Sequence, residues 1–138
     1  MAQTNTPPNG TRNEKPNFRY AASGAVTVPA ASNTTILQLP VSGLERIVVQ
    51  FAVATQALDA FLIKAKAHPD ASDITLYSAA ADFTTPAGLL LGASGDLTTV
   101  AAAGTGWFIM DVRGLHEVTI QASGAVDSAV VTAYAGGQ

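Results

Sequence analysis

Two stretches of the chain alternate cleanly between apolar and polar positions. Phe61, Ile63, Ala65 and Ala67 interleave with Leu62, Lys64 and Lys66, and Val118, Ile120 and Ala122 interleave with Glu117, Thr119, Gln121 and Ser123. A period of two sends one face of a strand into a core and the other toward solvent. The run from Ile47 to Val53 is apolar on nearly both faces, which predicts a central strand or one whose outer face meets a partner. Gly, Pro, Asn and Asp punctuate the chain at short intervals and predict strands at 25–29, 34–39, 46–54, 60–67, 74–78, 97–101, 106–112, 117–122 and 128–135. Helical signal is nearly absent. So many short strands predict an all-β, antiparallel β-sandwich, jelly-roll-like, from about residue 21 to 138.

Two segments echo each other. Val41-Ser42-Gly43-Leu44 and the strand after it resemble Val112-Arg113-Gly114-Leu115 and its strand, with Gln50 matching Gln121. In both, glycine is expected to take a backbone conformation costly for other residues, with Leu44 and Leu115 plugging a sheet end. The echo reads either as two equivalent corners of a sandwich or as chance. Gly104-Thr105-Gly106 is expected to be a hairpin turn ahead of Trp107. The stretch 79–103 has no clean period and predicts a long connection. Long connections in compact domains are usually functional, and Leu89, Leu90 and Leu91 fit either a core plug or an anchor for a neighbour.

Residues 1–20 form a second region, predicted to be an extended N-terminal arm. They hold Pro7, Pro8 and Pro16 and little to bury, so they do not offset their own ordering entropy. Arg12, Lys15 and Arg19 against Glu14 give the arm +2, whereas residues 21–138 carry four cations and nine anions, net −5. Phe18 and Tyr20 flank Arg19. An extended segment would lay both rings on a partner surface; alternatively they begin the first strand and tuck into the body.

Composition narrows function. Hydrophobic residues make up 48% of the chain and charged residues 12%, half the usual share of about 25%. Such a surface points to coverage by a partner or by further copies of the chain. A net charge of −3 argues against nucleic-acid binding, which needs a basic face. The start Met1-Ala2-Gln3-Thr4-Asn5 lacks signal-peptide features, and no apolar run approaches the roughly 18 residues of a membrane span. The expectation is a chain kept in a cytoplasm, or on a particle assembled there, with no membrane partner.

Chemistry is sparse. Cysteine is absent, and His68 and His116 lack any recognised metal-ligand spacing. The 68–73 segment reads as a Pro-Asp turn, without the residue order of a calcium loop. No serine sits in a nucleophile elbow. Glu45 and Glu117 read as solvated strand ends, not a catalytic pair. Neither a catalytic residue, a metal nor a cofactor is expected. Trp107, the only tryptophan, reads as a core or interface residue beside Phe108 and Met110, with sugar stacking the alternative.

Several phrases carry a resemblance: Leu58-Asp59-Ala60-Phe61 leading to His68-Pro69-Asp70, the 81–86 connection, Gly106-Trp107-Phe108-Ile109-Met110-Asp111-Val112-Arg113-Gly114-Leu115, and the Gly-rich end at 135–137. In a low-charge β-rich body they resemble capsid cement or decoration proteins of tailed bacteriophages, a family that includes the jelly-roll cement protein of a Bordetella phage. The resemblance implies a non-enzymatic homodimer on the capsid exterior that bridges major capsid protein subunits. Arg12, Lys15, Phe18, Arg19, Tyr20 and Leu89 to Leu91 become the candidate partner-binding residues. The alternatives are a carbohydrate- or receptor-binding module of a fibre or baseplate, marked by an exposed Trp107 or Tyr134, and a neck or tail subunit.

Overall fold

The computed structural model describes residues 18–78, 89–91 and 104–138. Nine strands follow in chain order: β1 (Tyr20–Val28), β2 (Thr34–Pro40), β3 (Arg46–Ala54), β4 (Leu58–Lys66), β5 (Ile74–Ser78), β6 (Leu89–Leu91), β7 (Gly104–Asp111), β8 (Glu117–Gly124) and β9 (Ala129–Gly137). They form two antiparallel sheets, β1-β9-β3-β7-β6 and β2-β8-β4-β5. The chain is therefore an all-β sandwich. Strands β1 and β9, β2 and β8, β3 and β7, and β4 and β5 pair in nested order. Such nesting makes one long folded ribbon wound over itself, the arrangement of a jelly roll.

The register shows the ribbon directly. In the sheet of β2 and β8, Leu39 lies opposite Val118 and Pro40 opposite Glu117. Across the corner, in the other sheet, Arg46 lies opposite Asp111 and Ile47 opposite Met110. The spacing is unbroken, and the two corners between are linked reciprocally. Val41 N–H donates to the His116 carbonyl and Val112 N–H donates to the Glu45 carbonyl, each at 3.0 Å. Leu44 N–H and Leu115 N–H close the matching turns onto Val41 and Val112, again at 3.0 Å. Gly43 and Gly114 have φ of 83° and 84°, the left-handed region that glycine enters without a Cβ penalty. The sequence echo thus marks two equivalent corners, and Leu44 and Leu115 pack against the core beside them.

Between the sheets the core is apolar and aromatic at its centre. Ile47, Val49, Phe51, Val53, Phe108 and Met110 from one sheet meet Phe61, Ile63, Ala65, Val118 and Ile120 from the other. Phe61 stacks on Phe51 at 5.0 Å between centroids and meets Phe108 edge-on at 6.3 Å. Both are favoured ring geometries, so Phe61 ties its sheet to two neighbouring strands of the other.

Some expectations needed revision. The first strand begins at Tyr20, five residues ahead of its predicted start, because the shift between Ala22 and Ala25, with Gly24 at φ 68°, interrupts the alternation there. Gly104-Thr105-Gly106 is not a turn but the start of β7. Gly106 lies opposite Phe51, and a Cβ on it would stand 2.6 Å from Phe51 Cζ; the glycine makes room for a ring. Leu89–Leu91 forms an edge strand, opposite Phe108, Ile109 and Met110. The predicted strand at 97–101, with the rest of the 79–103 connection, lies outside the described residues.

Candidate functional site

The outer face of the five-stranded sheet is where unspent chemistry collects. Strand β3 is central and its burial alternates without a break. Ile47, Val49, Phe51 and Val53 face the core, which leaves Arg46, Val48, Gln50 and Ala52 outward. The run at 47–53 is thus a central strand, with apolar Val48 on its outer side. The register sets rows across this face: Tyr134, Gln50 and Trp107 lie side by side on β9, β3 and β7, and Gly136, Val48 and Ile109 form the next row. Tyr20 on β1 lies opposite Gly136.

Large apolar side chains stand exposed along these rows: Tyr20 by 85%, Tyr134 by 54%, Val48 by 42% and Trp107 by 38%. Scattered exposed apolars are ordinary, but several on one face mark a contact surface. Two open grooves divide the face. One, of about 270 Å³, runs over Gln50 and Ala52 between Trp107 with Thr105 on one side and Tyr134 on the other. The second, of about 300 Å³, is bounded by Tyr20, Arg46, Val48 and the chain end at Gly136–Gln138.

The predicted partner residues separate here. Phe18 is half-buried against the core, close enough to Gly137 that a Cβ there would stand 3.1 Å from its ring. Arg19 is pinned by its carbonyl, which accepts from Gly137 N–H at 2.9 Å. Tyr20, the next residue, is then presented almost wholly to solvent. So Phe18 belongs to the body, while Tyr20 is free for contact. Arg12 and Lys15 lie outside the described residues, and Leu89 to Leu91 are placed only as the β6 edge. Trp107, read as a core or interface residue, is an outward residue of β7, which removes only the core half of that reading.

Charge on this face gathers at one end. Arg113 grips Asp111 through Nη2 at 2.6 Å and Nε at 3.0 Å, and donates its backbone N–H to the same carboxylate at 3.0 Å. These bonds hold the Asp111 carboxyl well below its usual range, at about 2, with the Arg46 charge adding to the effect. Elsewhere the catalytic ingredients stay apart. Ser42 Oγ and His116 Nδ1 hydrogen-bond at 3.1 Å across the two corners, yet among the described residues no carboxylate pairs with His116 to orient it as a base. His68-Pro69-Asp70 is a turn, closed by Ala71 N–H on the His68 carbonyl. Among the described residues no group of three His, Cys, Asp or Glu side chains gathers to hold a metal ion.

Sequence reasoning offered an outer face of the 47–53 run for a partner but did not name Arg46, Val48, Gln50 and Ala52 as that face. The signal was present in the alternation of Arg46, Val48, Gln50 and Ala52 with larger apolar residues.

No family model and no curated protein matches the chain. Among solved structures, the crystal structure of SPBc2 prophage-derived protein YomS aligns with a TM-score of 0.46 and 10% identity, over 88% of this chain and 98% of that one. A match so distant supplies no argument about what this chain does.

Proposed function

We propose that the chain is a non-enzymatic structural protein of a virus particle: it binds the exterior of an assembled tailed-phage capsid and cements neighbouring major capsid subunits. The observation that carries this reading is the presentation of Tyr20. Phe18 and Arg19 anchor the chain beside Gly137, and Tyr20 stands exposed next to Arg46 and Val48 where residues 1–17 join the body. Tyrosine and arginine are both enriched at protein contacts and among their hot spots. The proline-rich +2 segment just before it offers charge-assisted bonds to an acidic capsid surface. Pairing into a dimer belongs to the same proposal, supported by the weakly charged outer sheet.

Cementing is thermodynamic in this scheme. A protein that binds the assembled shell and not free subunits stabilises the shell by mass action, and repeated weak contacts add up. The test is co-sedimentation with cement-free shells built from the capsid protein of the same genome. The full chain is expected to bind, and deletion of residues 1–16 or Tyr20→Ala to weaken binding while the melting temperature of the free body stays put. Added salt should lower the charged share of that binding. A full chain that leaves such shells bare defeats the proposal.

The exposure of Trp107 and Tyr134 favours a second reading, a carbohydrate- or receptor-binding module. The two readings use different grooves of one face.

A further inference from the structure

We propose that the groove over Gln50, between Trp107 and Tyr134, is a binding site for a neutral cyclic sugar unit of a glycan. The inference deepens the second reading and is independent of capsid binding. Its residues come from three adjacent strands in one register row, so the two aromatic side chains rise from backbones about 10 Å apart, two strand spacings. Gln50 lies between them, and Thr105 adds a hydroxyl to the same side as Trp107. The central strand beneath the groove, β3, is paired on both sides, to β7 and β9, and this pre-organises the site.

The chemistry of the groove selects the ligand class. Among the described residues no charged side chain lines it, and the nearest outward cation on β3, Arg46, sits four residues along the strand, about 13 Å away. Nucleic acid also stacks on aromatic rings, but its backbone calls for a cationic track, and residues 21–138 carry net −5. A purely aliphatic ligand would cover the Gln50 amide without pairing it, which is unfavourable. An extended peptide laid along the groove floor would find no free edge on β3, which is hydrogen-bonded on both sides. A sugar ring meets each demand. Its C–H face carries positive partial charge toward the negative faces of Trp107 and Tyr134, its hydroxyls reach the Gln50 amide and Thr105, and its outer side stays in water above an open groove.

Because Trp107 is the only tryptophan, its fluorescence reads the site directly. The full chain would be titrated with maltotetraose, cellotetraose, chitotetraose and lactose, with sorbitol as an open-chain polyol. We expect a saturable change in emission with at least one ring sugar below about 10 mM, the weak end of specific binding, and none with sorbitol. Tyr134→Ala should weaken that binding about fivefold, the worth of one aromatic contact, Tyr134→Phe should retain it, and Gln50→Ala should reduce discrimination among the sugars. Absence of a saturable response to all four, an equal response to sorbitol, or binding unaltered by both Tyr134→Ala and Gln50→Ala overturns the proposal. Shell co-sedimentation is scored separately, so either reading can fail alone.

Discussion

The two sheets share one core but present opposite outer faces. On the four-stranded sheet, β2, β8 and β4 turn Thr35, Gln38, Thr119, Gln121, Lys64 and Lys66 outward, with Lys66 within 3.8 Å of Glu117 and Gln121 bonded to Thr35 at 3.2 Å. These long polar side chains cover their own sheet so well that Thr119 is buried among them. The five-stranded sheet instead leaves Tyr20, Val48, Trp107 and Tyr134 to solvent, with grooves between. Equal inward packing therefore does not make the faces equivalent. One face is covered by its own polar side chains, and the other leaves large apolar side chains exposed.

The largest change expected comes from breaking what both faces share. Phe61→Ala removes the ring that joins β4 to Phe51 and Phe108 and should cost about 3–5 kcal/mol, read as a lower urea midpoint. A loss under about 1 kcal/mol would mean the sheets do not depend on that ring.

A smaller and more local effect is expected beneath the exposed aromatic face. Gly106→Ala places a Cβ against the Phe51 ring and should destabilise by about 1–3 kcal/mol. If Phe51 is displaced, Trp107 emission should shift as well, since its neighbour in β7 moves.

The comparison itself is sharpened by surface truncation. Tyr20→Ala and Tyr134→Ala on one face, and Lys64→Ala on the other, should each change stability by no more than about 0.5 kcal/mol. Only the first two should alter association, seen as a change in sedimentation, shell binding or sugar binding. Equal effects from Lys64→Ala would erase the distinction between the faces.

The smallest effect concerns acid. The Asp111 carboxyl is held at about 2 by side-chain and backbone hydrogen bonds from Arg113, below the value near 3.9 of an unfolded chain. A lowered folded-state value favours the folded form above the unfolded value, and that contribution fades as pH falls from about 4 through 2. The Asp111 carboxyl carbon should titrate near 2 by NMR and move up toward the ordinary value in Arg113→Ala. Both groups are exposed, so the melting temperature should barely respond.

Much of the architecture was legible because period two and glycine placement are local signals. Strands β3 and β5 fall where their predicted bounds put them, and the repeated Val-x-Gly-Leu segment located both corners. Gly104 to Gly106 misled because glycine in a strand looks the same in sequence as glycine in a turn. What separates them is the Phe51 ring, which arrives from a different strand. The core half of the Trp107 reading fell for a related reason. An aromatic between Gly106 and Phe108 has no way to show which side of the strand it occupies until the register is set.

The sequence by itself determined that this protein is all-β, where most strands lie, which residues form the core rows and where the chain folds back at its two glycine corners. Those depend on side-chain alternation and on backbone preference, which act over a few residues. Only the tertiary structure decided that Tyr134, Gln50 and Trp107 stand in one row, that Tyr20 is released while Phe18 is held, and that one sheet face is finished and the other open. These follow from pairing between strands as far apart as β1 and β9, and pairing over such distances is settled by the packing of the whole core.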